Sequence, residues 1–276
     1  MLVSMYVDSN TKIDFGFSIV IPVYKNYHML SRCLNSINTQ KIPVEIIIVD
    51  DTPNEEREII KKNTFNIRHP IHVLINSRNC GVTYSRNKGY SFARYSHVVF
   101  LDSDDSLVND AFDKMIDVVI SVNSSIYLFR TIDINGKLIG TPKERKKYSG
   151  IDGLIDTYGI GECLVVVQNI KNKKPFISIY RGHELAGLLR FYVKLTVKKG
   201  VFLSEYATRT YMQDNAYSIS SGSGLLNRLK LMSDGHMYVA MILINFESAY
   251  FASIPWLARC FFRRFQFYVH QLKNFL

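Results

Sequence analysis

Three runs of apolar residues, each closing on polar or acidic side chains, constrain the fold most: FSIVIPVY at 17–24, VEIIIVDD at 44–51 and HVVFLDSDD at 97–105. None alternates apolar with polar, so a strand built from any of them has both faces covered, as in a parallel sheet packed between helices. Helical spacing fills the intervals. Met29, Leu30, Cys33, Leu34 and Ile37 repeat at the helical period, NEEREIIKKNT from Asn54 reads as a second helix, and GVTYSRNKGYSFARY from Gly81 as a third. IHVLIN (71–76) supplies a further strand, and Pro22 sits near the end of its run, where a missing N–H breaks no ladder. The expectation is an α/β chain with a mostly parallel, Rossmann-like sheet and flanking helices.

That arrangement gives the acids a place. In open parallel sheets ligands bind beyond the carboxyl ends of the strands, where Tyr24, the Asp50–Asp51 pair and Asp102, Asp104 and Asp105 all fall. Three carboxylates within four residues repel one another, and holding them so near a core costs several kcal/mol unless something compensates. A divalent cation such as Mg2+ or Mn2+ would do so and would then attract a diphosphate. The alternative is an acidic turn capping a helix that starts near Asn109, since Asp and Ser are favoured N-caps.

With 276 residues, 47% of them hydrophobic, the chain can bury a sizeable core. Cys33, Cys80, Cys163 and Cys260 are scattered with no C-x-x-C pair, so neither a zinc site nor a disulfide framework is expected. The start, MLVSMYVDSN, lacks the basic head and apolar core of an export signal, and a cytoplasmic location follows as the expectation. The net charge of +10 is uneven: residues 1–110 carry 12 basic and 12 acidic side chains, residues 111–276 carry 22 and 12. Such a basic half suits nucleic acid, anionic lipid or phosphorylated substrates, and charge alone does not choose.

In this order and spacing, FSIVIPVYKN, EIIIVDDTP, NSRNCGVTYSRNKGY and VVFLDSDD resemble the nucleotide-binding half of the family 2 glycosyltransferases, over about residues 15–115. The resemblance implies a GT-A fold and a metal-dependent enzyme that takes a hexose or N-acetylhexosamine from a UDP-sugar with inversion. It implies that Pro22, Val23 and Tyr24 surround the base, with the ring of Tyr24 stacked on it. Asp50 and Asp51 match the acidic pair of which one accepts from the uracil N–H; capping of the helix expected after them is the other reading. Arg86 and Asn87 match positions at the nucleotide, where Arg86 could neutralise the acids or meet the diphosphate. Asp102 matches the first acid, facing the ribose or the metal's water shell, with Ser103 also at the nucleotide; Asp104 matches the direct metal ligand and Asp105 an additional neighbour. Thr52 and Pro53 stand where the family usually has a glycine.

Inversion also needs a general base for the acceptor hydroxyl. The Asp of the family's Glu-Asp pair maps onto Asp214 in YMQDNAYSIS, with Gln213 in place of the Glu. Glu205 and Glu184 are the other candidates, and His183 stands beside Glu184 in a segment, residues 180–205, expected to face the acceptor as a helix followed by a strand. INGKLIGTPKERKKYSG, with five Lys or Arg, reads as a solvated hairpin or loop.

The expected division is a GT-A domain over 1–236, with residues 15–115 its nucleotide half and 116–236 its acceptor half, followed by an amphipathic helical segment over 237–276. In PWLARCFFRRFQFYVHQLKNFL, one helical face carries Leu257, Phe261, Phe265, Tyr268, Leu272 and Phe275, another Arg259, Arg263, Gln266, His270 and Lys273. Such a helix either lies on an anionic membrane or packs its stripe on the core. Glu247 interrupts the longest apolar run, so no membrane span is expected. These features, with the resemblance, imply a polyprenyl-diphosphate-linked acceptor on the inner face of the cytoplasmic membrane and assembly of O-antigen or capsule. A nucleotidyltransferase would need a glycine-rich basic loop where this chain has PVYKNYHML, and a nucleic-acid-binding protein would leave the strand-end acids repelling phosphate.

Overall fold

The computed structural model describes residues 13–60, 67–142, 145–148, 160–170, 200–212, 229, 233–234, 236–237, 240–241, 244 and 251–273. Among them, nine strands form one sheet: β1 (Phe17–Val23), β2 (Val44–Asp50), β3 (Ile71–Ile75), β4 (His97–Phe100), β5 (Ser106–Leu107), β6 (Ile126–Ile132), β7 (Lys146–Tyr148), β8 (Cys163–Gln168) and β9 (Val201–Thr210). Their order is β3-β2-β1-β4-β8-β6-β9-β5, with β7 also on β9. The first four strands pair in parallel. Beyond β4 the sheet is mixed: β8 runs antiparallel to β4 and β6, β9 parallel to β6 and antiparallel to β5 and β7. Helices α1 (Tyr27–Asn35), α2 (Val82–Phe92) and α3 (Ala111–Ser121) flank it, and α4 (Ile254–Lys273) follows near the C-terminus.

The continuous apolar runs are explained by burial on both faces. Ile19, Ile21, Ile46, Ile48 and Val99 point to the side packed by Leu30, Cys33 and Leu34 of α1 and by Phe112, Met115, Val118 and Val119 of α3. Their alternates Val20, Ile47, Val49, Val98 and Phe100 pack with Tyr90 of α2 on the other side. Gly89 permits that second contact, because a Cβ there would stand 2.3 Å from Cγ1 of Val20. Glu45, fully buried inside β2, accepts from Ser18 Oγ at 2.7 Å and from the Arg94 N–H and Nε at 2.8 Å each, which ties the end of α2 to the sheet.

Two sequence expectations change. Residues 54–60 hold one 3-10 turn, Asn54–Glu56, and no longer helix. The cause is tertiary: the Arg57 guanidinium donates to the carbonyls of Thr52 and Asn76 at 2.5 and 2.7 Å and to Asn54 Oδ1 at 2.6 Å, holding Arg57 in an extended conformation. The basic segment after Ile134 forms a turn over Asp133–Lys137, and its Lys146–Tyr148 joins the sheet as β7 with both lysines exposed. The helix expected before β9 lies outside the described residues.

His97 opens β4 in the core between the rings of Phe15, Phe17 and Tyr127, with centroids 5.8–5.9 Å away. Burial lowers its pKa from 6.5 to about 4. The unfolded chain therefore takes up a proton that the folded chain refuses, so this stability is complete above pH 6.5 and is lost as pH falls toward 4. Between pH 7 and 5 the loss should be about 2 kcal/mol. Urea unfolding of the native chain and of His97→Phe at both pH values should show a smaller acid loss in the variant by about that amount. Equal losses would remove His97 as the cause.

Candidate active site

The parallel register brings three strand ends to one edge. Val23 stands opposite Asp50, and Asp50 opposite Ile75, while β4 stops at Phe100 across from Val20. Pro22 and Tyr24 are half-buried and Val23 is buried. Directly after Tyr24, Lys25 adopts φ 57°, the one positive φ at a non-glycine residue among those described. Such a backbone is costly and persists only where its surroundings impose it. Here the Lys25 N–H donates to Thr52 Oγ1 at 2.9 Å, its ammonium pairs with Glu56, and it lies 5.3 Å from the centre of the Tyr24 ring. Asn26, 3% exposed, has no hydrogen-bond partner for its amide within the protein, so this corner keeps a polar group for water or a ligand to satisfy.

Asp50 and Asp51 are both buried and both engaged. Asp50 accepts from the Tyr27 hydroxyl at 2.9 and 3.0 Å and from the Thr52 N–H at 3.0 Å, with Arg57 Nε 3.5 Å away. Asp51 accepts from Asn76 Nδ2 at 2.8 Å and from the N–H groups of Cys80 and Gly81 at 2.7 Å each. Gly81, at φ 88°, is the N-cap of α2, so Asp51 fixes the start of the helix that carries Arg86 and Asn87. The described residues 52–60 hold no regular α-helix for the pair to cap. Each carboxylate acts first as a strut, and any contact with a base uses its remaining lone pairs.

The loop from Asp102 to Asp105 is neutralised from two directions. Arg86 Nη2, from α2, donates to Asp102 Oδ1 at 2.6 Å. Arg209, on β9 and 3% exposed, places Nη1 3.0 Å from Asp105 Oδ2 and 3.8 Å from Asp102 Oδ2. It also donates to Thr131 Oγ1 at 3.1 Å and Glu162 Oε2 at 3.2 Å. Burial opposes the charge of Asp102, yet Arg86 and Arg209 hold its pKa below the ordinary value. Asp105, fully buried, accepts from the Met212 N–H at 3.3 Å. Burial pushes its carboxyl up to about 8, against Arg209 and with the repulsion of Asp102 and Asp104. Asp104 is half-buried and Ser103 buried. Helix α1 grips this loop by its backbone, Arg32 donating to the Asp104 carbonyl and Cys33 to that of Asp102. The cap of α3 is Asp110, so the cluster is not a helix cap.

Sequence reasoning placed the acids and Arg86 together, and they do converge. It missed Arg209, which joins Arg86 in neutralising Asp102 and pairs with the buried Asp105. The available signal was a lone basic residue within VFLSEYATRTYM, where a buried guanidinium must find carboxylates. Tyr27 and Arg57, which bind Asp50, carried no comparable mark. Glu205 is exposed on β9 and lies 3.6 Å from Arg145. Asp214, Glu184 and His183 lie outside the described residues.

Residues 18–179 match the sequence model of glycosyl transferase family 2. The chain belongs to that family. Over 145 residues it is 30% identical to a poly(ribitol-phosphate) beta-glucosyltransferase of Bacillus spizizenii, covering 51% of this chain and 23% of that one. Over 165 residues it is 26% identical to the UDP-Glc:alpha-D-GlcNAc-diphosphoundecaprenol beta-1,3-glucosyltransferase WfgD of Escherichia coli, covering 59% and 64%. The chain thus spans less than two thirds of either relative. The crystal structure of S. aureus TarS 1–349 in complex with UDP-GlcNAc matches with a TM-score of 0.62 at 18% identity, over 92% of this chain and 73% of that one. That likeness is one of fold, and the family 2 chain has the GT-A architecture.

The resemblance also implies a divalent cation. Asp102 and Asp104, both partly exposed and flanking Ser103, offer one or two carboxylates, and Mg2+ or Mn2+ can complete such a set with phosphate and water. Among the described residues no group of three or more His, Cys, Asp or Glu is placed to hold a metal. The two carboxylates present fit an ion that also takes phosphate oxygens and water.

Because Asp105 and Arg209 are both buried, removing one partner strands the other. Arg209→Met should cost about 3 kcal/mol of unfolding free energy, and adding Asp105→Asn should recover a large part of it. Urea unfolding of the four proteins in this cycle measures the coupling. Strictly additive losses would show that the pair does not act as a unit.

Proposed function

We propose that the chain transfers a hexose or N-acetylhexosamine, with inversion, from a UDP-sugar to a sugar hydroxyl on a polyprenyl-diphosphate-linked intermediate of a bacterial surface polysaccharide such as O-antigen or capsule. One observation carries the reading: Tyr24, Asp50, Asp51, Arg86 and Asp102–Asp105 converge on a single strand-end edge in a chain of family 2. The donor and acceptor classes draw support from the names of WfgD and of the TarS complex.

Placement and the family resemblance together support the following roles. Pro22, Val23 and Tyr24 border the base, and the half-buried Tyr24 ring offers it a stacking surface. Asp50 and Asp51, held by Tyr27, Thr52, Asn76 and the Cys80–Gly81 backbone, present a rigid acceptor edge to the uracil N–H. Asp102 serves the ribose or the metal's water shell, with Ser103 beside it at the nucleotide, and Asp104 would hold Mn2+ or Mg2+. Arg86, now on Asp102, is the group we assign to the diphosphate, with Asn87 next to it on α2. A bound divalent cation supplies positive charge that stabilises the departing diphosphate.

Asp214 takes the proton from the acceptor hydroxyl on the face opposite the leaving group. It follows Met212 by two residues, and the Met212 N–H is held by Asp105. Asp105 and Arg209 therefore tether the donor loop to the chain leading to the base. Glu205, exposed and beside Arg145, is a weaker candidate, and Glu184 remains the alternative.

A panel of UDP-sugars with Mn2+ or Mg2+, followed by UDP release with and without a sugar-diphosphate-lipid analogue, tests the reading. Asp104→Ala should lose metal-dependent turnover with an unchanged melting temperature. Asp214→Asn should bind UDP normally and transfer at least about a hundredfold more slowly. No turnover of any nucleotide sugar with either metal would sink the proposal, and a normal rate in Asp214→Asn would move the base to Glu184 or Glu205.

A further inference from the structure

Helix α4 has two apolar faces. One is buried: Trp256 is 2% and Cys260 4% exposed, the His236 ring lies 5.7 Å from that of Trp256, and Ser233 Oγ donates to the Cys260 carbonyl at 3.1 Å. Arg264 adds an ion pair with Asp234. The other face is open. Ile254, Phe261, Phe265, Tyr268 and Leu272 fall at the helical period and are 54, 65, 66, 53 and 64% exposed, with Phe262 beside them at 57%. The packing of α4 thus uses a different face from the stripe the sequence marks, of which Phe261, Phe265, Tyr268 and Leu272 remain in solvent.

A row of large apolar side chains along a helix about 30 Å long is more than a lone soluble surface ordinarily leaves in water. Charge indicates what covers it. The stretch 255–276 carries Arg259, Arg263, Arg264 and Lys273 and no Asp or Glu, and the whole positive excess of the chain lies after residue 110. A second copy laid on this face would bring two basic segments free of Asp and Glu together, whereas an anionic lipid surface offers both an apolar layer and opposite charge. No described helix is long and apolar enough to cross a membrane, so α4 would lie along the surface.

We propose that the exposed face of α4 docks the protein on an anionic lipid bilayer, with Phe261, Phe265, Tyr268 and Leu272 entering the acyl boundary and the positive excess of the chain drawn to the headgroups. This deepens the proposed function, since a polyprenyl-linked acceptor resides in such a bilayer, the inner face of the cytoplasmic membrane. Vesicle binding nevertheless reads it without any sugar transfer, so either proposal can fail alone.

The test is sedimentation of the full chain with vesicles of phosphatidylcholine alone and of phosphatidylcholine mixed with phosphatidylglycerol. Partitioning should be at least about tenfold stronger on the anionic vesicles and should weaken with salt. Phe261→Ser/Phe265→Ser should lose at least about tenfold of that partitioning, with circular dichroism and UDP affinity unchanged. A native chain that stays in the supernatant, or a variant that binds as well as the native chain, would overturn the proposal. So would sedimentation velocity showing a dimer that the same variant dissolves, which would assign the face to a second copy.

Discussion

The pairing of Arg86 and Arg209 with the acids after β4 is the contact on which the rest of the site depends. Asp102 and Asp105 are separated by two residues, and one of them is fully buried. Keeping both carboxylates ionised in a poorly solvated loop is costly, and burial drives Asp105 toward its protonated form, unless cations from elsewhere meet them. Arg86 comes from the second crossover helix and Arg209 from a strand more than a hundred residues downstream. The network therefore cannot form until both halves of the sheet have paired, which couples the electrostatics of the site to completion of the fold. Loss of either arginine should be felt across that junction rather than locally.

The same reasoning separates the acids by task. Asp105 is tied to Arg209 and to the backbone of Met212, and Asp102 is shared between two guanidiniums. Helix α1 holds Asp104 and Asp102 through their carbonyls. Three like charges in four residues thus resolve into one buried strut, one residue balanced between arginines and one half-buried carboxylate. A like division holds at the end of β2, where Asp50 fixes the start of α1 through Tyr27 and Asp51 fixes the start of α2 through Cys80 and Gly81. Rigid struts beneath a binding edge lower the reorganisation needed when a charged ligand arrives.

How much of this the sequence exposes depends on whether the cause is local. The strands were legible because burial on both faces forces unbroken apolar runs such as Ile46–Val49, and the acids at their ends marked the edge. The antiparallel insertion of β8 between β4 and β6 was not legible, since strand order records long-range pairing that no window of residues carries. The helix expected from Asn54 failed for a related reason: Arg57 gains more from two carbonyls and Asn54 across the turn than from continuing a helix. Arg209 escaped notice because its partners are far away in sequence, although its isolation in a strand otherwise free of basic residues was a usable clue.

Helix α4 shows the opposite case, in which the sequence displayed a pattern whose meaning only packing could decide. Its apolar stripe is equally compatible with burial against the sheet and with exposure, because period alone does not say which of two apolar faces a neighbour will take. The structure commits Trp256 and Cys260 to the interior, and an aromatic ring that large, held against His236, leaves the helix little freedom to rotate about its axis. With its roll fixed from one side, α4 has to present Phe261 and Phe265 on the other. The exposure of those rings is therefore a consequence of the core contact itself, not of an absence of contacts.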